Sequence, residues 1–296
     1  MLRIAYVTDL HLPHVERLKS LTSKMRAVRD RVNAFAFGGD TFGLERFHWD
    51  ALTKGRAAIG AINVRKAFSR RSAEEGMPLI LDAADRKPVV MINGNADFLA
   101  FEYLRLNKKK FPGLFALQSG EIFYLSGLYF IGVGSIEPDN QDRNNILNFN
   151  PWYRGVVSSE EQTKTFTDLI ENTWDWPDEK REKTVLITHQ PALGFVDNGS
   201  TRIHGTFSMF SFVQALNPII HLTGHVHSVP LEKISSKYDL SVYDFSRAYA
   251  KMPSGTISVN PGGGNVHDSE QGVRMAIIDI EKLIEGKMSE AIQQVI

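Results

Sequence analysis

The sequence contains no cysteine. That one absence excludes disulfides, thiolate-held metals, iron–sulfur clusters and cysteine nucleophiles, so any metal here must be held by His, Asp, Glu or Asn. No stretch approaches the roughly 18 consecutive apolar residues of a membrane span. The N-terminal residues lack the basic region, apolar core and small-residue cleavage site of a secretory signal, so a cytoplasmic location is expected. Net charge is also missing: 34 Lys+Arg balance 34 Asp+Glu. With 43% hydrophobic and 23% charged residues in a chain of 296, the composition is that of a globular protein able to bury a sizeable core. There is no internal repeat or low-complexity linker, and one domain over residues 1–296 is expected.

The neutrality hides an asymmetry. Residues 1–110 carry 20 Lys/Arg against 12 Asp/Glu, and the remainder carries 14 against 22. Residues 51–73 hold Lys54, Arg56, Arg65, Lys66, Arg70 and Arg71 with no acidic residue. Such a run is either a solvated helical face or a basic cap that grips phosphate.

Apolar runs mark strands, and polar groups gather at their ends. Leu2-Arg3-Ile4-Ala5-Tyr6-Val7-Thr8 stops at Asp9-Leu10-His11, Ala34-Phe35-Ala36-Phe37 at Gly38-Gly39-Asp40, and Val89-Val90-Met91-Ile92 at Asn93-Gly94-Asn95. Between the first two, Leu18, Leu21, Met25, Val28 and Val32 recur at spacings of three or four, one face of a helix over 15–32. Residues 42–87 exceed a single crossover helix and read as an insert of two helices over the strand ends. Further strands are expected at 122–125, 128–133, 185–188, 219–222, 256–259 and 275–280. A capping box, Ser159-Glu160-Glu161-Gln162, predicts a helix from 159 to about 174. Strands alternating with helices give an α/β fold, which places ligands at the carboxyl edge of its sheets.

Five strand-terminal groups carry chemistry: Asp9-x-His11, Gly39-Asp40, Gly94-Asn95, His189, and Gly224-His225-Val226-His227. Residues two apart on extended chain leave on the same side, so Asp9 can act with His11, and His225 with His227. Four imidazoles, two carboxylates and one amide oxygen exceed the needs of one tetrahedral ion. They suit two adjacent five- or six-coordinate ions sharing a carboxylate. Such a pair acidifies a bridging water and clamps the attacking and leaving oxygens in displacement at phosphorus, so phosphate ester hydrolysis is the natural reaction.

The ordered pattern D-x-H, G-D, G-N-x-D, H and G-H-x-H resembles the calcineurin-like metallophosphoesterase superfamily, its motifs spanning about three quarters of the chain. The resemblance implies a four-layered αββα sandwich with a binuclear centre at the strand ends, here with a helical insertion at about 42–87. It implies that Asp9, His11, Asp40 and His227 hold one ion and that Asp40, Asn95, His189 and His225 hold the other. Asp40 would bridge them and a bridging hydroxide would be the nucleophile, with Mn²⁺ the foremost metal beside Fe, Zn²⁺ and Ni²⁺. The run His189-Gln190-Pro191 through Asp197 and His204-Gly205-Thr206 is similar to the family as well, as is Val259-Asn260-Pro261-Gly262. Under that reading His204 either approaches the substrate phosphate or caps a turn, and Asp97 either orients a metal ligand or closes an Asx turn. His221, between Ile220 and Leu222 in mid-strand, reads as a buried structural residue.

One departure from the family pattern matters. Where many members carry His after Gly-Asn, this chain has Gly94-Asn95-Ala96-Asp97. Alanine cannot protonate a leaving oxygen, help worth typically about 10²- to 10⁴-fold. Some phosphodiesterase branches, including the bacterial lipid A pathway pyrophosphatase group, share the omission. The expectation is a phosphodiesterase or pyrophosphatase acting on a small phosphate ester or nucleotide. The basic N-terminal half keeps a nuclease acting on nucleic acid as an alternative, and Ala96 a non-catalytic protein-binding scaffold.

Overall fold

The computed structural model describes residues 2–12, 15–42, 58–134, 158–196, 205–226, 249–262 and 273–295. The first sheet is built from β1 (Arg3–Val7), β2 (Ala34–Phe37), β3 (Val89–Met91), β4 (Leu114–Ala116), β11 (Met275–Asp279) and β12 (Ile292–Val295), in the order β12-β11-β1-β2-β3-β4. Strands β1 to β4 run parallel, and β11 and β12 add antiparallel to that edge. The second sheet takes β5 (Ile122–Leu125), β6 (Leu128–Val133), β7 (Thr184–Thr188), β8 (Ile220–Leu222), β9 (Tyr249–Lys251) and β10 (Ile257–Val259), ordered β5-β6-β7-β8-β10-β9. Its four central strands are parallel, with β5 and β9 antiparallel at the edges.

Strand parity sorts the core into layers. In β1, Ile4 and Tyr6 face the second sheet, where they pack with Phe130, Val185, Ile187, Ile220, Leu222 and Val259. Ala5 and Val7 point the other way, into a layer with Leu21, Met25 and Val28 of α1 (Val15–Val28), Met77 and Ile80 of α2 (Ala58–Ala84), and Phe101 and Leu104 of α3 (Phe98–Leu106). On the far side, Ile131, Val133 and Leu186 pack against Phe166 and Leu169 of α4 (Ser159–Thr173) and Met209, Phe212 and Val213 of α6 (Phe207–Leu216). Helix, sheet, sheet, helix is the four-layered sandwich expected. The central strands are buried on both faces, which is why they read as unbroken apolar runs. No helix among the described residues is long and apolar enough to cross a membrane.

Within the insert, one 27-residue helix, α2, is described; residues 43–57, where the other expected helix would fall, lie outside the described residues. Two local readings change. The cap of α4 is Ser158, one residue earlier than expected, its hydroxyl accepting from the Glu161 amide. The short strands β4, β9 and β12, of three or four residues each, have no sequence pattern of their own and are strands by pairing with β3, β10 and β11.

Arg181, the last residue of the short helix α5 (Asp178–Arg181), ties the ends of α4 and α6 together. Its guanidinium donates to the carbonyls of Thr173, Trp174, Trp176 and Leu216 at 2.7–3.3 Å. Four orphan helix-end and turn acceptors are thereby satisfied by one planar fork. Arg181→Met keeps the aliphatic stem and removes every donor. It is expected to lower stability by about 2 kcal/mol, read from the urea midpoint, because partly buried carbonyls lose the charged donor that satisfies them.

Candidate metal centre

The carboxyl edges of the two sheets meet where the strand-terminal polar groups fall. The loops after β1 and β2 continue side by side beyond the sheet: Asp9 N–H donates to Gly39 O at 3.1 Å, His11 N–H to Asp40 O at 2.8 Å and Leu12 N–H to Thr41 O at 2.7 Å. The second sheet is laced to them. His189 Nδ1 meets the Gly38 carbonyl at 2.9 Å, the Gly224 amide donates to His189 O at 3.2 Å, and the His225 amide donates to both Asp9 carboxylate oxygens at 3.1 and 2.9 Å.

These anchors gather six of the seven residues singled out by the motifs. Donor atoms of Asp9, His11 and Asp40 all lie within 4.8 Å of one another. Asp40 Oδ2 stands 4.0 Å from His11 Nε2 and 3.4 Å from His189 Nε2. Asn95 Oδ1 lies 2.9 Å from His189 Nε2 and 3.1 Å from His225 Nδ1. Asp40 therefore belongs to both groups of donors. Asp9, His11, Asp40 and His189 are buried, whereas Asn95 and His225 are half-buried and give the cluster an open side. His227 and His204 lie outside the described residues.

The backbone is bent to make this cluster. Of the nine non-glycine residues with positive φ among the described residues, four are Asp9 (54°), His11 (45°), Asp40 (51°) and His225 (68°). Each such conformation costs on the order of 1–3 kcal/mol and persists only where the surroundings enforce it, so four in one donor set is strain stored at a functional site. The accompanying glycines are a matter of space. A Cβ on Gly94 would land on the Asp40 carboxylate, and one on Gly224 on the Thr8 hydroxyl beside Asp9.

The donor set fits divalent cations. The Gly38 carbonyl can only accept, so His189 carries a proton on Nδ1 and turns Nε2 toward two oxygens, Asn95 Oδ1 and Asp40 Oδ2. A lone pair facing two acceptors needs a cation between them, a proton or a metal ion. Burial alone would lower the pKa of His189, but the Asp40 carboxylate and its hydrogen bond hold it up at about 9. Asp40 shows the complement. Burial would raise it, yet the charge of His189, the nearby His11 and the Ala96 N–H bring it well below the ordinary carboxylate range.

Asp97 does not close an Asx turn. Its Oδ1 accepts from the Gly94 amide and its Oδ2 from the Thr41 amide, each at 2.7 Å, so one carboxyl joins the loop of Asn95 to the loop of Asp40. Burial and the charge of Asp40 push its pKa up to about 7 despite those two bonds. Thr8, which donates to Asp9 at 2.9 Å, and Asn260, whose amide reaches the carbonyls of Gly224 and Val226, also brace the loops. Asn260 could be found from its motif; Thr8 had no signal beyond adjacency to Asp9. Arg70 and Arg71, the described side chains of the basic run, pair with Glu74 and Glu75 one turn on, which is a solvated helix face.

The sequence of residues 2–229 matches the family model of the calcineurin-like phosphoesterases. No curated protein's sequence matches. Among solved structures, one crystal structure aligns over 99% of this chain and 98% of its own at 15% identity and TM-score 0.65. A hypothetical protein from Thermus thermophilus aligns over 93% and 92% at 14% identity and TM-score 0.47. GAP50, the anchor in the inner membrane complex of Plasmodium, aligns over 94% and 81% at 11% identity and TM-score 0.46. At these identities the likeness is one of fold, carried by the first of the three.

Two expectations follow from the electrostatics. His189 has a folded pKa of about 9 against an ordinary 6.5. The stability it lends metal-free protein is therefore fully present below pH 6.5 and lost as pH rises through 9. Thermal unfolding of chelator-stripped protein should show Tm falling over that window, and added metal should restore it, because a cation replaces the departing proton. A flat profile in stripped protein would contradict the charge assignment. Separately, Asp97→Asn must turn an NH₂ toward Gly94 N–H or Thr41 N–H. It should cost about 1–3 kcal/mol in chemical denaturation and weaken metal binding measured by calorimetry.

Proposed function

The chain belongs to the calcineurin-like phosphoesterase family, and from that premise we propose that it is a metal-dependent phosphodiesterase or pyrophosphatase. The observation that carries the reading is the position of Asp40, whose carboxylate adjoins the donors of both halves of the motif set. Asp9, His11 and Asp40 would hold one cation, joined by His227; Asp40, Asn95, His189 and His225 would hold the second. Two divalent ions so held supply Lewis acidity and activate water for attack at phosphorus. A mixed oxygen and nitrogen set without thiolates suits Mn²⁺, with Fe, Zn²⁺ and Ni²⁺ distinguished by elemental analysis.

The chain's own residues shape which ester can react. Position 96 presents a methyl group, so no imidazole there hands a proton to the leaving oxygen. Asp97, the titratable group next to it, has both carboxyl oxygens committed to backbone amides and is a positioning residue. A leaving group that must depart without that acid should be intrinsically good: a phosphoryl group, an aryl oxide, or the stabilised oxygen of a nucleotide. Diesters and pyrophosphates of that kind are the substrate class proposed. The pairing of Arg70 and Arg71 with glutamates gives the nuclease reading no support from that part of the basic run.

The test combines metal content with turnover. Protein supplied with Mn²⁺ should retain two ions per chain and hydrolyse bis(p-nitrophenyl) phosphate, and Asp40→Ala should lose both properties, since one carboxylate serves both ions. Two tightly held ions in Asp40→Ala would overturn the bridging assignment; metal-loaded wild type inert on every diester and pyrophosphate tried would overturn the enzymatic reading. Ala96→His should raise activity on alkyl monoesters relative to aryl diesters. Wild-type protein that already prefers unactivated monoesters would contradict the substrate class.

A further inference from the structure

His221 lies in the middle of β8, completely buried, on the face of the second sheet opposite the one that Ile220 and Leu222 turn toward the first. That outer face is packed mainly by Leu186, Ile131 and Val133 against α4 and α6. Three polar side chains interrupt it in a row across neighbouring strands. His221 Nδ1 is 3.0 Å from Ser258 Oγ on β10, its register partner, and Nε2 is 2.7 Å from Thr188 Oγ1 on β7. All three residues are fully buried.

Proton counting gives the row a direction. Thr188 has one hydroxyl proton, and it goes to the Gln190 carbonyl at 2.6 Å, an atom that can only accept. Thr188 must therefore accept from His221 Nε2–H, which leaves Nδ1 of the neutral ring to accept from the Ser258 hydroxyl. Burial favours the same neutral form, lowering the His221 pKa to about 3. The last bond in the row spans residue 189: Thr188 reaches over its neighbour to the carbonyl of Gln190 and fixes the turn on which the His189 imidazole stands.

We propose that the Ser258–His221–Thr188 row is a positioning relay that sets the backbone at His189 and thereby the affinity of the cation that His189 holds. The proposal rests on His189 being a ligand, as argued above. A buried polar row stabilises only when every member is satisfied, and here each is, with the row ending at the turn that carries His189.

The test uses the full chain stripped with chelator. Thr188→Val keeps the shape and removes both hydrogen bonds, Ser258→Ala removes the first donor, and His221→Gln shortens the link. Calorimetric titration with Mn²⁺ should show one of two binding steps weakened about 10- to 100-fold in Thr188→Val, as for other groups that orient ligands, with Thr188→Ser returning wild-type affinity. Titrating excess Mn²⁺ should recover most of kcat. Folded Thr188→Val and Ser258→Ala with wild-type Mn²⁺ affinity, or variants that lose Tm while affinity is unchanged, would make the row merely structural and overturn the proposal. Should His221→Gln fail to fold, the two hydroxyl variants decide. Wild-type protein that binds no metal would instead sink the functional reading on which this one stands.

Discussion

The contact on which the site depends is between one buried carboxylate and two imidazoles. Asp40 presents Oδ2 to His11 and His189 while Oδ1 accepts the Ala96 amide at 2.7 Å. A lone carboxylate with so little solvent would be protonated. This one stays ionised because positive charge stands on either side of it, and in the family's chemistry cations take that place. The rest of the site can be derived from keeping that group charged. Asp97, completely buried nearby, is pushed toward its neutral form by burial and by the charge of Asp40, while Asp40 is held ionised.

Holding such a group where two sheets converge requires backbone that the residues would not choose. Positive φ at Asp9, His11, Asp40 and His225 places donors inward at the ends of β1, β2 and β8. The strain is offset by bonds that cross between loops: the paired amides of residues 9–12 with 39–41, the Asp97 bridge, and the His225 amide on Asp9. The two apolar layers flanking the first sheet do the remaining work, since they leave the strand ends no freedom to relax the turns. Stability in the layers is thus what permits strain at the edge.

How much of this was legible in the sequence depended on burial and spacing. The central strands announce themselves because both faces are buried, and the motif residues stand directly at their ends, which is why six of them converge where the sheets meet. The three-residue strand β4 carries no such pattern. Helix α2 runs through Pro78, its buried face of Ala73, Met77 and Ile80 packed into the layer under the first sheet. The partners of Arg70 and Arg71, Glu74 and Glu75, begin at the next residue after the basic run and so fall outside it. Asp97's role was undecidable from spacing, because its partner Thr41 is 56 residues away.

Ala96 can now be placed in that scheme. The contribution of position 96 to the scaffold is its backbone amide, which fixes Asp40 Oδ1 and which any residue but proline can give. The side chain is half-exposed and its identity leaves the arrangement of donors untouched. Exchanging an imidazole for a methyl group there removes a proton donor without disturbing the charge balance around Asp40. The strained donors at Asp9, His11, Asp40 and His225 each cost stability, and they stand in place beside a methyl group at position 96. What that side chain withholds is a proton donor and not a group of the donor cluster.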